Sequence, residues 1–315
     1  MEPDTSTYAR RLQAAGTIGK ARMIQYLYLG RVPYDEALRL QEEIAALRLT
    51  GRIENTLLLL EHPPVLTLGR NADRSNVLAS DELLAARGVT LHHINRGGDV
   101  TYHGPGQLVG YPIFDLRSLR APAKDFVQSE ERKRLGPVDF VRMMEEALIR
   151  LCGVYGVPAG RIAGLTGVWC GLLPEPQNSS ESQPPRSGRK IAAIGIHVAR
   201  GIVTHGFAFN VTTSLADFQL INPCGITDKP VTSLEYEISR QVADPPALPP
   251  LEAVANQAAR QFGLVFEQQM LAVASLDALR AQAAGNQPAQ ADDTPLTVPH
   301  EVERLHGNPN PLIRS

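Results

Sequence analysis

Two β-forming runs, residues 190–198 (KIAAIGIHV) and 202–211 (IVTHGFAFNV), are separated only by Ala199-Arg200-Gly201. A connection that short joins antiparallel neighbours, so a hairpin is set before any other element is placed. Alternation along the second run puts Val203, His205, Phe207, Phe209 and Val211 on one face, and Thr204, Gly206, Ala208 and Asn210 on the other. The first face is bulky and suits a core. The second is small around Gly206 and Ala208, and Ala192, Ala193 and Gly195 of the partner run extend it. Such a face admits a slim apolar guest against the backbone, and it equally suits a closely packed helix.

Other elements are arranged around this hairpin. Residues 23–29 and 55–62 read as strands, and 34–49 as a helix with Ala37, Leu40, Ile44 and Leu47 on one stripe. Strands are expected at 65–68, 89–95 and 164–170, and helices at 81–87 and behind Pro137, where Phe140, Met144, Ala147 and Leu151 recur at helical spacing. Residues 96–116 (RGGDVTYHGPGQLVGYPIFDL) read as strand, tight loop, strand. A late helix over 251–262 is followed by a short strand at 264–266. Strands interleaved with a few helices predict an α+β, mixed α/β fold with one sheet-based catalytic domain over 23–270. Residues 1–22 read as an N-terminal extension, 174–188 as a mobile Pro/Ser-rich insertion, and 285–315 as a disordered tail.

The formal net charge of −2 provides no basic field for nucleic acid, and no apolar run reaches the length of a membrane span. Three widely spaced cysteines, Cys152, Cys170 and Cys224, form neither a CxxC pair nor a disulfide framework, so a reducing, cytoplasmic setting is expected. The histidines lack HExxH spacing, no phosphate-binding GxxxxGK[ST] is present, and no cofactor is implied.

Cys224 stands in a turn-forming Asn222-Pro223-Cys224-Gly225, where Pro223 fixes its own φ and Gly225 permits a sharp bend. Alone, such a thiol is either a small buried hydrophobe, as Cys152 and Cys170 are expected to be, or a nucleophile. A nucleophilic thiol needs a cation or base beside it, because at neutral pH only a few per cent is thiolate. Lys190 opens an otherwise apolar strand and is either a solvated strand-end residue or an amine set in a pocket. The glycines of the 96–103 segment let backbone approach a ligand, with Arg96, Tyr102 and His103 at its rim. The basic run Arg132-Lys133-Arg134 is either a solvated loop or a contact for an acidic carrier protein.

Taken in order, RGGDVTYHGPGQLVGYPIFDL, RKIAAIGIHV, HGFAFNV and NPCGI resemble the octanoyltransferases of lipoate biosynthesis, the lipoyl(octanoyl) transferases, over residues 25–265. The resemblance implies the fold shared by biotin and lipoate protein ligases. It implies transfer of octanoyl from octanoyl-acyl carrier protein to a lysine on lipoyl domains of 2-oxoacid dehydrogenases and on the glycine cleavage H protein. Matched motif by motif, Cys224 is the acyl-thioester nucleophile and Lys190 the residue that tunes it. Arg96, Gly97, Gly98, Asp99, Val100, Thr101, Tyr102 and His103, with Ala193, Ile194, Gly195, Gly206, Phe207 and Ala208, would line the octanoyl site. An ATP-dependent lipoate or biotin ligase and a non-catalytic acyl-carrier-binding protein are the alternatives.

Overall fold

The computed structural model describes residues 23–120, 135–172, 188–222 and 229–286. The expected N-terminal extension, residues 174–187 of the insertion, the basic run at 132–134 and residues 287–315 of the tail lie outside the described residues.

Eleven strands are described: β1 (Met23–Arg31), β2 (Asn55–Glu61), β3 (Val65–Leu68), β4 (Thr90–His93), β5 (Val100–His103), β6 (Gln107–Ile113), β7 (Ala159–Ile162), β8 (Leu165–Cys170), β9 (Arg189–Ala199), β10 (Ile202–Asn210) and β11 (Gln269–Ala272). Eight form one mixed sheet in the order β11-β1-β2-β6-β10-β9-β8-β7, parallel at β11-β1-β2 and antiparallel from β2 onward. The other three make a small sheet in the order β4-β3-β5.

The large sheet is covered on both faces, and β2 shows why. Its NTLLLLE run is buried nearly throughout, because Leu57 and Leu59 enter one core while Leu58 and Leu60 enter another. The first core is closed by α3 (Pro137–Val154) and α5 (Leu251–Phe266), where Phe262 stacks on Phe266 and Phe140 and Phe266 meet each other and the edge or face of Phe114. The second is closed by α1 (Tyr34–Leu49), through Ala37, Leu40 and Ile44, and by α6 (Leu276–Gly285), through Leu279 and Ala283. Two short helices, α2 (Asp81–Ala86) and α4 (Leu234–Ser239), are capped by Ser80 and Ser233.

The expected hairpin is β9–β10. Arg200 (φ 50°) and Gly201 (φ 82°) are both left-handed, so the connection is a two-residue turn of the kind that matches strand twist. One sequence expectation is corrected: residues 264–266 complete α5 and form no strand, because Val265 and Phe266 continue its buried face. The 96–116 segment contains the expected strand, tight loop and strand, and the two strands belong to different sheets: β5 pairs with β3, and β6 pairs with β2 and β10. The chain crosses between the sheets at Gly104-Pro105-Gly106, where Gly106 (φ 80°) accepts hydrogen bonds from the N–H groups of Val211 and Thr212. A cavity opens where the small sheet folds over the large one.

Among the described residues no helix is long and apolar enough to cross a membrane. Neither β11 nor α6 is evident in the sequence, yet Leu279 is fully buried. Leu279→Ala should cost about 2–5 kcal/mol in urea denaturation while leaving turnover per folded molecule unchanged, since α6 lies outside the cavity.

Candidate active site

The cavity, of about 250 Å³, has a floor made from the hairpin. Gly206 pairs with Gly195 and Ala208 with Ala193, and Ala208 also faces Val109 of β6. With so little side chain in these pairs, the floor is largely main chain. A Cβ on Gly195 would stand 2.7 Å from the Gly97 carbonyl oxygen, and one on Gly206 would fall onto the Gly110 carbonyl. The 96–98 loop therefore lies directly on β9, where the Gly97 N–H donates to the Ile196 carbonyl. Ile194 and Phe207 also border the cavity, but their side chains belong to the core on the far face, so what they present there is backbone.

Alternation sorts the 96–103 segment in the same way. Thr101 and His103 of β5 line the cavity with Arg96, Gly98 and Asp99. Val100 and Tyr102 point the other way, into the small sheet's own core with Leu66, Leu68 and Phe218. Gly97 contributes contact with β9 and is not part of the lining. Val109, Tyr111 and Tyr34, all buried, form the inner end, and the partly exposed Leu165 and Thr166 the mouth.

Lys190 reaches this cavity through a bulge. On β8 and β9, Val168 pairs with Ala192 but Trp169 pairs with Lys190, so Ile191 is extra. Ile191 and Ala192 both enter the main core, while Ala193 and Lys190 border the cavity. Strict alternation would have turned Lys190 to the core with Ala192. Gly167 makes the bulge possible: its φ is 125°, and a Cβ there would lie 2.6 Å from the Ala192 carbonyl oxygen and 3.6 Å from Lys190 Cε. Lys190 is 9% exposed, and its Nζ stands 4.7 Å from the centroid of the Trp169 ring.

Cys224, with Pro223 and Gly225, lies outside the described residues. Its described flanks are both tied to the cavity wall. The Asn222 N–H donates to the Asn76 carbonyl (2.7 Å), and Asn76 Nδ2 donates to Asp99 Oδ2 (2.6 Å). On the other side, the Lys190 N–H donates to the Pro230 carbonyl and the Thr232 N–H to the Lys190 carbonyl, both at 2.9 Å. Cys152 and Cys170 are buried in the main core, and their mutual hydrogen bond, with burial, pushes the Cys152 thiol well up, as inert thiols require.

The fixed positive charge of the inner region belongs to Arg96. Its Nη2 donates to the Thr67 carbonyl and Oγ1, both at 2.9 Å, and its Nη1 to the Gly97 carbonyl. Two imidazoles, His103 and His205, feel its charge, and a third, His62, lies against His103; all three are held neutral. His103 bonds Gln107 Oε1 through Nδ1, and burial, reinforced by His62, pushes it down to about 3. His205 is pushed down to about 3 by burial and then by Arg96. His62, bonded to the Val32 carbonyl and the Tyr111 hydroxyl, is pushed down to about 4 by burial.

His205 corrects the sequence reading, which put it on the core face with Val203 and Phe207. Carrying the Phe207–Gly110 register two residues on sets His205 against Pro112, which has no N–H to offer the ladder. His205 turns to φ 56°, its own N–H donates to Gln41 Oε1 (2.7 Å), its ring bonds Asn95 Oδ1 (2.8 Å), and it borders the cavity. A proline inside a strand pattern was the available signal. Tyr34 and Tyr111, also missed, carried none.

Residues 33–245 match the family model described as the lipoyl protein ligase A/B catalytic domain. Over 249 residues the chain is 59% identical to an octanoyltransferase of Acidobacterium capsulatum, covering 79% of this chain and 92% of the relative. Over 284 residues it is 47% identical to an octanoyltransferase of Koribacter versatilis, covering 90% and 97%. Among solved structures, a chain from an archaeal lipoylation system of Thermoplasma acidophilum, comprising a bi-partite lipoate protein ligase and its E2 lipoyl domain, matches with a TM-score of 0.55. Its identity is 16%, over 83% of this chain and 91% of that one, so the likeness is one of fold.

The buried imidazoles make stability depend on pH. Unfolded histidines titrate near 6.5, whereas these three stay neutral in the folded state until the pH falls to 4 or 3. Above pH 7 they leave stability unchanged. As pH drops from about 6.5 toward 4 the unfolded state takes up protons that the folded state refuses, and each imidazole steepens the loss by up to about 1.4 kcal/mol per pH unit. Urea unfolding between pH 7.5 and 4.5 should show that loss, and His103→Gln should flatten it.

Proposed function

The chain belongs to the lipoyl protein ligase A/B catalytic-domain family and, within it, to the octanoyltransferases, acyltransferases of protein lipoylation, and on that premise we propose that it works through a Cys224 acyl-thioester with octanoyl-acyl carrier protein as donor. The Cys224 thiolate attacks the carrier thioester, the C–S bond to the carrier breaks, and the carrier thiol leaves with a proton from Lys190. A lysine amine of a lipoyl domain then attacks acyl-Cys224. Lys190, now neutral, takes the amine proton, the new amide forms and the Cys224 thiolate is regenerated. Thioester is exchanged for thioester and then for amide, so no nucleotide is consumed. The acceptors are lipoyl domains of 2-oxoacid dehydrogenases and the glycine cleavage H protein, and the setting is cytoplasmic.

The observation that carries this reading is the position of Lys190. It borders a slim, mostly apolar cavity, and the segment that holds Cys224 leaves and rejoins the described structure at that same wall, through Asn222 and Pro230. Cys224 is two residue steps from Asn222, a reach of about 7 Å at most. The small-residue floor between Ala193, Gly195, Gly206 and Ala208 suits an unbranched acyl tail, with Tyr34, Val109 and Tyr111 at its far end.

Intact-mass measurement after mixing with octanoyl-acyl carrier protein should show one octanoyl adduct, absent in Cys224→Ser, and turnover should proceed without ATP. An unmodified wild-type chain, or ATP-dependent turnover that survives Cys224→Ala, would point to a ligase and overturn the scheme. Lys190→Ala should lower transfer by about 10²–10⁴-fold without unfolding the protein. If the tail lies in the cavity, each methylene buries about 0.8 kcal/mol. A hexanoyl donor should then show roughly fifteenfold lower kcat/KM than the octanoyl donor.

A further inference from the structure

Glu145, in the middle of α3, has a fully buried side chain on the face that packs against the large sheet. Its Oε2 accepts from Arg142 Nη1 (2.7 Å) and Arg161 Nε (3.0 Å). Its Oε1 accepts from the Gly167 N–H at 3.0 Å. A buried carboxylate is a costly way to join a helix to a sheet, and apolar side chains of similar volume usually serve stability as well or better. What the carboxylate holds is therefore informative.

Gly167 is the residue on which the β8–β9 bulge depends. Its φ of 125° is closed to ordinary side chains, and the Ala192 carbonyl sits where its Cβ would be. A glycine in that conformation is also the freest part of the strand, and the bond from Glu145 removes that freedom from the opposite face of the sheet. Through the bulge, the same contact sets which way Lys190 points. We propose that Glu145 is a positioning residue: by holding the Gly167 N–H it keeps Ile191 bulged and Lys190 aimed into the cavity over the Trp169 ring. The functional consequence rests on the reading of Lys190 as the proton-transfer group, whereas the geometric one stands apart from it.

Trp169 is the sole tryptophan of the chain, so its emission reports the contact with Lys190 directly. Lys190→Ala should shift that emission. Glu145→Ala should shift it in the same direction, and Lys190→Ala added to Glu145→Ala should change it little further, as coupled positions do. Displacing the proton-transfer group should lower kcat by about tenfold to a hundredfold with little change in the KM for acyl donor. Glu145→Gln retains an acceptor for the Gly167 N–H and should keep wild-type emission and turnover within a few-fold of wild type, even though Arg142 loses the charge of Glu145 and Arg161 keeps only that of Glu146.

Folded Glu145→Ala with wild-type emission and turnover overturns the proposal. If Glu145→Ala fails to fold, Glu145→Gln decides: wild-type emission supports the proposal, and a Lys190→Ala-like emission overturns it. Should Lys190→Ala retain turnover while Glu145→Ala still shifts the emission, the reading of the reaction fails and the positioning role stands.

Discussion

Main chain pressed against main chain is the constraint on which the rest of this structure depends. The Gly97 carbonyl occupies the space a side chain at position 195 would need, the Gly110 carbonyl that of position 206, and the Ala192 carbonyl that of position 167. Each contact brings two segments closer than any Cβ allows. The first seats the Arg96 loop on β9, the second draws β10 against β6, and the third makes the bulge that delivers Lys190. Close approach of this kind leaves main-chain groups to be satisfied, and the polar residues near the cavity serve that need: Gln41 takes the His205 N–H, Asn76 takes the Asn222 N–H on its carbonyl and joins it to Asp99 through its side chain, and Glu145 takes the Gly167 N–H.

The same contacts explain the polarity of the cavity. Its inner end is walled by aromatic rings and imidazoles that burial keeps neutral, with Arg96 already engaged by Thr67 and Gly97. That end presents apolar edges and small side chains in place of open charge. Lys190 and Asp99 are further ionisable groups of the lining. Which polar groups reach the cavity follows from which β5 and β9 residues face inward, and so from strand alternation plus one bulge.

Much of this was legible in the sequence, for physical reasons that can be named. The β9–β10 hairpin followed from its short connection, and the small face of Gly206 and Ala208 from period-two alternation. The α3 stripe of Phe140, Met144, Ala147 and Leu151 followed from period 3.6. Departures from period were not legible. Lys190 and Ala192 have the same parity, and nothing in RKIAAIGIHV shows that Ile191 is bulged, since the cause is Gly167 on the neighbouring strand. Val100 and Tyr102 were grouped with Thr101 and His103 because a motif is contiguous in sequence, whereas a strand divides it between two faces. That β5 and β6 part company into two sheets is a tertiary fact, although Gly104-Pro105-Gly106 marked the place.

The edge pairing of β11 with β1 places strands from the two ends of the described chain side by side, Met23 against Gln269. In a polypeptide made from its N-terminus, β1 can pair with β2 almost at once, but its other edge stays open until residues 269–272 have been synthesised. The hairpin and the small sheet, built from residues 65–210, can assemble well before that. The β11–β1 pairing is thus one of high sequence separation, the kind that topology makes slow to form. Until then the free edge of β1 presents unpaired main-chain groups that another strand could pair with.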